Sequence, residues 1–446
     1  MKQAKDIEVT IIGGGLVGSL CACILGNKGV RVKLHEFRDD PRDQFFVAGR
    51  SINLALSARG RSALRMAGLE EEVIDRHAIP MRGRMLHDIQ GRTTVVPYDK
   101  QGRCIYSVGR RFLNEMLLTA AEKNSNVEVH FKSKFLDCDL KSGKYKVRSV
   151  DGETKEESSD LLIGCDGAFS GVRRQMLKMP RFNYSQTYIE SGYLELCIPA
   201  TDDGEFVIPE NYLHIWPRHN FMMIALPNQD RSFTVTLFMP FDMFEQIKTP
   251  ELLIKFFEEH FKDAIPLIGR EKLITDFFKI PPSSLVSIKC NPHHVEDKVL
   301  LLGDAAHAVV PFFGQGMNGG FEDCEILADL LDAYSYDLKK VLPAYTEKRQ
   351  KDAEAVCDLS MYNYLEMRHL VTSKSFLLRK KVDNFLNTIF PETWVPLYTM
   401  VTFSKLRYSH CILRKEMQDK ILVTLMWSAA VILLSIFIAL FTRIYV

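Results

Sequence analysis

Three short stretches hold residue types whose spacing suits a bound dinucleotide. Near the N-terminus, Gly13, Gly15 and Gly18 form the pattern Gly-x-Gly-x-x-Gly after a β-rich run, Ile7 to Ile12, and the acidic Glu36 follows a second such run. In this pattern the first glycine permits a tight strand-to-helix turn, the second lets a pyrophosphate approach the backbone, and the third lets the helix pack on the strand. The N-terminus of that helix offers free N–H groups to the phosphates. Glu36 stands where a carboxylate can accept a hydrogen bond from a ribose hydroxyl. Its charge favours an unphosphorylated ribose, hence FAD or NAD rather than NADP at this site. The second stretch, Asp166 to Arg173, follows the apolar run Leu161 to Gly164. The third is Leu301-Leu302-Gly303-Asp304, extended by Pro311-Phe312-Phe313-Gly314-Gln315-Gly316-Met317-Asn318. A strand ending in Gly-Asp places a carboxylate beside a polyol chain. A glycine-rich turn then opens a helix whose positive end suits an electron-rich ring.

The elements that must position these residues are legible in the hydropathy pattern. Ile7–Ile12, a helical stretch over 16–28 and Val30–Glu36 make a strand–helix–strand unit, with further helices over 61–66 and 112–123 and a strand over 127–131. Between about Arg181 and Pro281 the texture changes to β-rich runs separated by turns, at 188–198, 212–217, 221–226 and 232–239, and a helix follows over 250–261. The expected fold is α/β: a Rossmann-like dinucleotide domain over 1–180 and 282–340, interrupted by an antiparallel sheet over 181–281. A helical region over 341–419 and one C-terminal transmembrane helix over 420–441 complete it. A sheet inserted beside a cofactor domain supplies the floor of a substrate pocket.

Composition narrows the function further. A formal net charge of +1 over 446 residues gives no electrostatic case for nucleic acid. The ten cysteines form no CxxC pair and no cluster at zinc spacing, so reduced thiols and no metal are expected. Ile421 to Leu440 carries no charge and is long enough to cross a membrane, with Arg414, Lys415 and Lys420 before it and Arg443 after it. It reads as a tail anchor; a buried C-terminal helix is the alternative.

Taken together and in this order, the three stretches resemble the flavoprotein aromatic hydroxylases, and the resemblance covers essentially all of residues 7 to 410. It implies one non-covalent FAD, with NADPH as a transient electron donor that has no Rossmann domain of its own. Asp166 is implied to help both dinucleotides and Asp304 to contact the ribityl or ribose region. Arg38, Arg110, Gly316, Met317 and Asn318 are implied to lie on the flavin, with the backbones at Val17, Ala55 and Phe135. Of the adjacent Arg110 and Arg111, either register fits.

Longer runs are similar to the kynurenine-hydroxylating members of that family: 49–57, 80–85, 212–218, 311–318, 358–364 and 396–401. This closer resemblance implies that Arg84, Tyr98, Tyr398 and Asn363 hold the amino-acid end of L-kynurenine and that Phe312 and Phe313 pack on its ring. A bidentate guanidinium is the natural partner of an α-carboxylate. Glu366 and His307 are secondary candidates, His307 as a structural histidine. The implied reaction uses NADPH and O2 to hydroxylate L-kynurenine at C3 through a C4a-hydroperoxyflavin. A hydroxylase of another aromatic acid or phenol, and a membrane-attached flavin reductase, are the alternatives. The implied location has the catalytic part facing the cytosol on the mitochondrial outer membrane, with the endoplasmic reticulum as the other option.

Overall fold

Val9, Thr10, Ile11 and Ile12 are all buried, which a strand needs when both of its faces are covered. The computed structural model describes residues 3–43, 53–98 and 101–445, so Gly49 to Ile52 of the resembling stretch 49–57 lie outside the described residues. Glu8–Ile12 is central in a six-stranded sheet, flanked by Arg31–His35 and Leu161–Gly164 in parallel register. Val127–His130 lies beyond the first neighbour and Val299–Leu301 beyond the second, both parallel, with the short antiparallel His294–Val295 at one edge.

The helix Leu16–Asn27 is buried along nearly its whole length because two partners cover it, Arg110–Glu122 and Gly316–Ala333. Leu20, Ile24, Leu117, Phe321 and Leu327 belong to this one core. On the sheet's other face, Tyr145 and Val147 of a three-stranded antiparallel sheet pack on Leu162 and Val172. The glycine loop, the Glu36 loop, the Asp166 loop and the Gly303–Asp304 turn all leave the carboxyl ends of neighbouring strands. The strand order reverses at Glu8–Ile12, where an open α/β sheet forms its ligand crevice.

The second sheet has seven strands, and it is wider than the stretch 181–281. Gly83–His87 and Thr93–Pro97 join one end, and Ser283–Asn291 closes the other. Gly83–His87 pairs parallel with Tyr212–Arg218, the one parallel pair in this sheet, so a segment of the N-terminal half carries Arg84 onto it. The composition shift over 181–281 could not announce these strands, because they stand inside the α/β half of the chain. Leu194, Val235, Leu237 and Trp216 face the helices between 241 and 279, whereas Met222, Phe238 and Ile215 face Phe312 and Tyr364. This alternation follows from the period-two geometry of strands.

The long helix Leu338–Arg368 lays Arg349 into a buried charged cluster. Arg349 reaches Asp323 at 2.5 Å and Glu322 at 2.7 Å, and Arg59 reaches Glu322 at 2.5 Å. Asp323 also accepts from His307 Nε2 at 2.7 Å and from the Gly303 N–H at 2.8 Å. His307 is thus engaged in structure, not facing the cleft. Burial pushes the Asp323 carboxyl up, but His307 and Arg349 hold it well below its ordinary value of 3.8. The final helix, Tyr408–Tyr445, begins twelve residues before the expected anchor boundary and runs through it unbroken. Tyr408 and Cys411 are fully buried in the catalytic body, while nearly all residues from Ile421 to Leu440 are exposed and most of them are apolar. The run to Leu440 is long and apolar enough to cross a membrane.

Breaking one partner of this cluster strands charge in the core. Arg349→Ala is expected to destabilise the fold by about 3–5 kcal/mol, read by chemical unfolding. The Asp323 contribution has its own pH signature. A depressed carboxyl stabilises above its unfolded pKa and loses that stability as pH falls, so the wild type weakens below about 3.8 and the variant loses part of that dependence.

Candidate active site

The fingerprint loop shows why each glycine stands where it does. Gly13 has a φ of +105°, and a Cβ there would lie 2.5 Å from the Cys165 carbonyl oxygen. At Gly18 a Cβ would lie 1.9 Å from the Gly13 carbonyl oxygen, so this glycine sets the approach of helix to strand. Gly15 differs: a Cβ there would meet nothing within 4 Å. A glycine is therefore not needed at 15 for the protein's own packing, and the open space above it fits a pyrophosphate against the helix N-terminus. Glu36 is buried at the next strand end, accepting from the Gly14 N–H at 2.7 Å and from Arg38 Nε at 2.8 Å. Burial opposes its charge, but the Arg38 side chain and the Arg38 and Gly14 N–H groups hold its carboxyl below the ordinary value.

The remaining loops converge on the same crevice. Asp166 accepts from the Gly171 and Val172 N–H groups at 2.7 and 3.2 Å, and its Oδ1 is buried without a partner. A Cβ on Gly171 would lie 3.2 Å from Phe135, which puts Phe135 beside this loop. Gly303 closes onto Val17, and Gly314 onto Ala55. Asp304 is exposed at the lip of the crevice, where the protein packed around its carboxyl raises it and Arg110 pulls it down. Arg111 turns away, bonding Glu115 at 2.5 Å and the Pro41 carbonyl at 2.7 Å. Of the two, Arg110 is the one whose charge acts on Asp304.

The side-chain amide of Asn318 is engaged within the protein. It is fully buried, donating to the Ala55 and Gly314 carbonyls at 2.8 and 2.6 Å and accepting from the Ser57 N–H at 2.8 Å. Its side chain therefore braces the cleft wall, and the half-exposed Gly316 and Met317 are what the helix N-terminus presents.

A second cluster adjoins that wall. Ala55 packs beside Tyr98 and Tyr398, whose rings stack at 5.1 Å, and Phe313 also stacks on Tyr398, at 5.6 Å. Arg84 lies 4.7 Å from the Tyr398 ring centroid and pairs with Glu366 at 3.1 Å. Lys380 shares the same Glu366 oxygen at 2.7 Å. Burial opposes the charge on Glu366, but Lys380 and Arg84 hold its carboxyl low. Two cations thus face one carboxylate in a mostly dry site. Arg84 Nε and Tyr98 Oη are buried without partners, which is costly unless an acceptor completes them.

Asn363 is buried and donates to the Phe312 carbonyl at 2.7 Å, fixing the ring that stacks on Tyr364 at 4.1 Å. Lys380 carried no sequence signal, standing in the basic run Arg379-Lys380-Lys381 far in sequence from Arg84. Glu322 and Asp323 did carry one: two acids among small and apolar residues on a helix.

Comparison with known proteins fits this geometry. An FAD binding domain family model matches residues 6–360. A crystal structure of 2-methyl-3-hydroxypyridine-5-carboxylic acid oxygenase superposes with a TM-score of 0.66 at 20% identity, covering 84% of this chain and 96% of that one, and so shares the fold. The chain is an FAD-dependent monooxygenase of the class defined by this domain, and NADPH is the co-substrate typical of it. The chain is 57% identical over 431 residues to the kynurenine 3-monooxygenase of Anopheles gambiae, covering 96% of this chain and 88% of that protein. It is 48% identical to the Sus scrofa protein of the same name, covering 95% and 90%. Within the class, it belongs to the kynurenine 3-monooxygenase family.

The second and third glycines of the fingerprint separate fold from cofactor binding. Gly15→Ala is expected to keep unfolding stability within about 0.5 kcal/mol while weakening FAD by roughly tenfold or more, about 1.4 kcal/mol. Gly18→Ala forces a clash and is expected to cost about 1–3 kcal/mol of stability. Thermal unfolding alongside fluorescence of released flavin distinguishes the two.

Proposed function

We propose that this chain hydroxylates L-kynurenine at C3, using NADPH and O2, to give 3-hydroxy-L-kynurenine. The observation that carries the reading is the pair of buried, unpartnered donors, Arg84 Nε and Tyr98 Oη, in a site with two cations and one carboxylate. A substrate α-carboxylate completes both donors. Family membership at 57% identity supports the same substrate.

Bound FAD supplies electron transfer from NADPH and the activation of oxygen. Gly13, Gly15, Val17, Gly18, Glu36, Arg38 and Asp166 hold its adenosine and pyrophosphate end in this reading. Asp304, Arg110, Ala55, Gly316 and Met317 face the remainder, and the backbone near Phe135 borders it. The Gly316–Ala333 helix would offer its positive end to the negative charge that a reduced flavin carries. On the substrate side, Arg84, Tyr98 and Tyr398 orient the amino-acid end. Phe312 and Phe313 flank the ring and exclude water, and Asn363 positions Phe312. The aniline nitrogen of kynurenine already donates electron density ortho to itself, so the chemistry asks no general base of the protein. The exposed part of the final helix anchors the chain in a membrane, with the catalytic part facing the cytosol and the mitochondrial outer membrane as the site.

Purified protein given NADPH, L-kynurenine and labelled O2 is expected to place one labelled oxygen on the ring; NADPH oxidation without labelled product would refute hydroxylation. Arg84→Ala is expected to keep FAD but to weaken kynurenine binding by about 2–5 kcal/mol, the cost of truncating one partner of a buried pair. Unchanged affinity would remove Arg84 from the clamp. Ending the chain before Ile421 is expected to release it from membranes into the high-salt supernatant.

A further inference from the structure

The helix Lys374–Ile389 is built inside out. Its inward face carries Arg379, Lys380, Asp383 and Asn387, and none of its residues is fully buried. Its outward face carries Leu378 and Phe385, each 63% exposed, and Ile389 at 50%, with Val382 partly exposed between them. These positions fall at i, i+4, i+7 and i+11, a single apolar stripe along the helix. Phe390, 52% exposed, extends the stripe past the helix end, and Lys374 and Lys381 border it. An ordinary surface helix shows the opposite arrangement.

The place of this stripe in the fold indicates what covers it. Arg379 pairs with Asp419 at 2.8 Å, two residues before the exposed apolar run of the final helix begins at Ile421. Trp394 Nε1 donates to Asp383 at 2.9 Å, Gln418 to the Val395 carbonyl at 3.2 Å, and Arg414 to the Thr393 carbonyl at 2.9 Å. The whole segment 374–395 is therefore stapled to the last turns before the apolar run. On the final helix itself, Leu413, Met417 and Ile421 form a further exposed stripe that leads into that run. An apolar face edged with lysines, held at the level where a helix enters the bilayer, has the character of an interfacial helix.

We infer that Lys374–Ile389 lies in the plane of the membrane surface, with Leu378, Phe385, Ile389 and Phe390 in the lipid headgroup and acyl boundary. This inference rests on the anchor reading proposed above. It gives the protein a second lipid contact beside its span. The polar inner face, bonded to protein through Arg379, Lys380 and Asp383, prevents the same helix from crossing the bilayer. Because Lys380 also bonds the Glu366 that pairs with Arg84, the lipid-facing helix directly backs the site's charged cluster.

The test uses the full chain in vesicles of phosphatidylcholine with a minority of phosphatidylserine. A photo-crosslinking residue, p-benzoylphenylalanine, replaces Phe385 in one variant, Leu433 within the apolar run in a second, and the exposed Val150 of the antiparallel layer in a third. Retained flavin confirms that each variant is folded. After irradiation, the variants at 385 and 433 are expected to gain the mass of one phospholipid and the one at 150 none. A lipid adduct at 433 without one at 385 would overturn the inference and leave the anchor intact. No adduct at 433 would overturn both together. A protein–protein adduct at 385 would assign the stripe to a second copy of this chain and overturn the lipid contact.

Discussion

One buried carboxylate, Asp323, holds the cleft's far wall to the rest of the molecule. It accepts the Gly303 N–H, the His307 ring and the Arg349 guanidinium, so a backbone turn, a short helix and the 31-residue helix meet on it. A carboxylate taken from water is costly unless its lone pairs are filled, and here they are filled by charged or backbone donors. The arrangement fixes the Gly303–Asp304 turn at the end of its strand, and through it the Asp304 carboxylate. Glu322 extends the same logic, joining Arg349 to Arg59 on the helix after the Ala55 segment. Both sides of the crevice are thereby tied to one charged knot beneath it.

The cofactor half of the molecule was largely legible in the chain. Short-range patterns carry it: glycines at fixed spacing, a strand before and a helix after, and an acid at the next strand end. Each demand is local, so each leaves a local mark. Gly15 is the clearest case, since its residue type has no packing reason and answers to the space above it. The substrate half was legible only through resemblance, because its parts arrive from distant segments. Arg84 comes from a strand whose parallel neighbour is Tyr212–Arg218, and Glu366 and Lys380 come from two separate helices. No period or spacing marks a contact of that kind. Charge gives a partial clue, since Glu322 and Asp323 stand among small and apolar residues, but a basic run such as Arg379-Lys380-Lys381 looks the same whether it faces water or a carboxylate.

Two residues show how resemblance and geometry divide the account of one side chain. Asn318 and Asn363 both stand in family-like runs, and both direct their amides to backbone carbonyls of the protein. Amides suit this work: each has two donors and an acceptor in a rigid plane, and so can hold two loops at a fixed separation. Through these bonds they set the positions of Ala55, Gly314 and Phe312. A site of this kind is only as accurate as the groups that hold its walls.

The unbroken helix that begins at Tyr408 has a mechanical consequence. Tyr408 donates to Gln315 at 2.9 Å and sits 3.8 Å beneath the Arg59 guanidinium, so the root of the helix is embedded next to the loop that borders the cleft. From there to Lys420 is about 18 Å of continuous helix, with no glycine or proline to act as a joint. A flexible tether would let the catalytic body tumble and sample every orientation above a bilayer. In the anchored arrangement proposed above, a rigid stalk would leave it one rotation, about the membrane normal, and would keep the mouth of the crevice at a constant height and angle. Molecules diffusing along the surface would then meet the same aspect of the protein at every encounter.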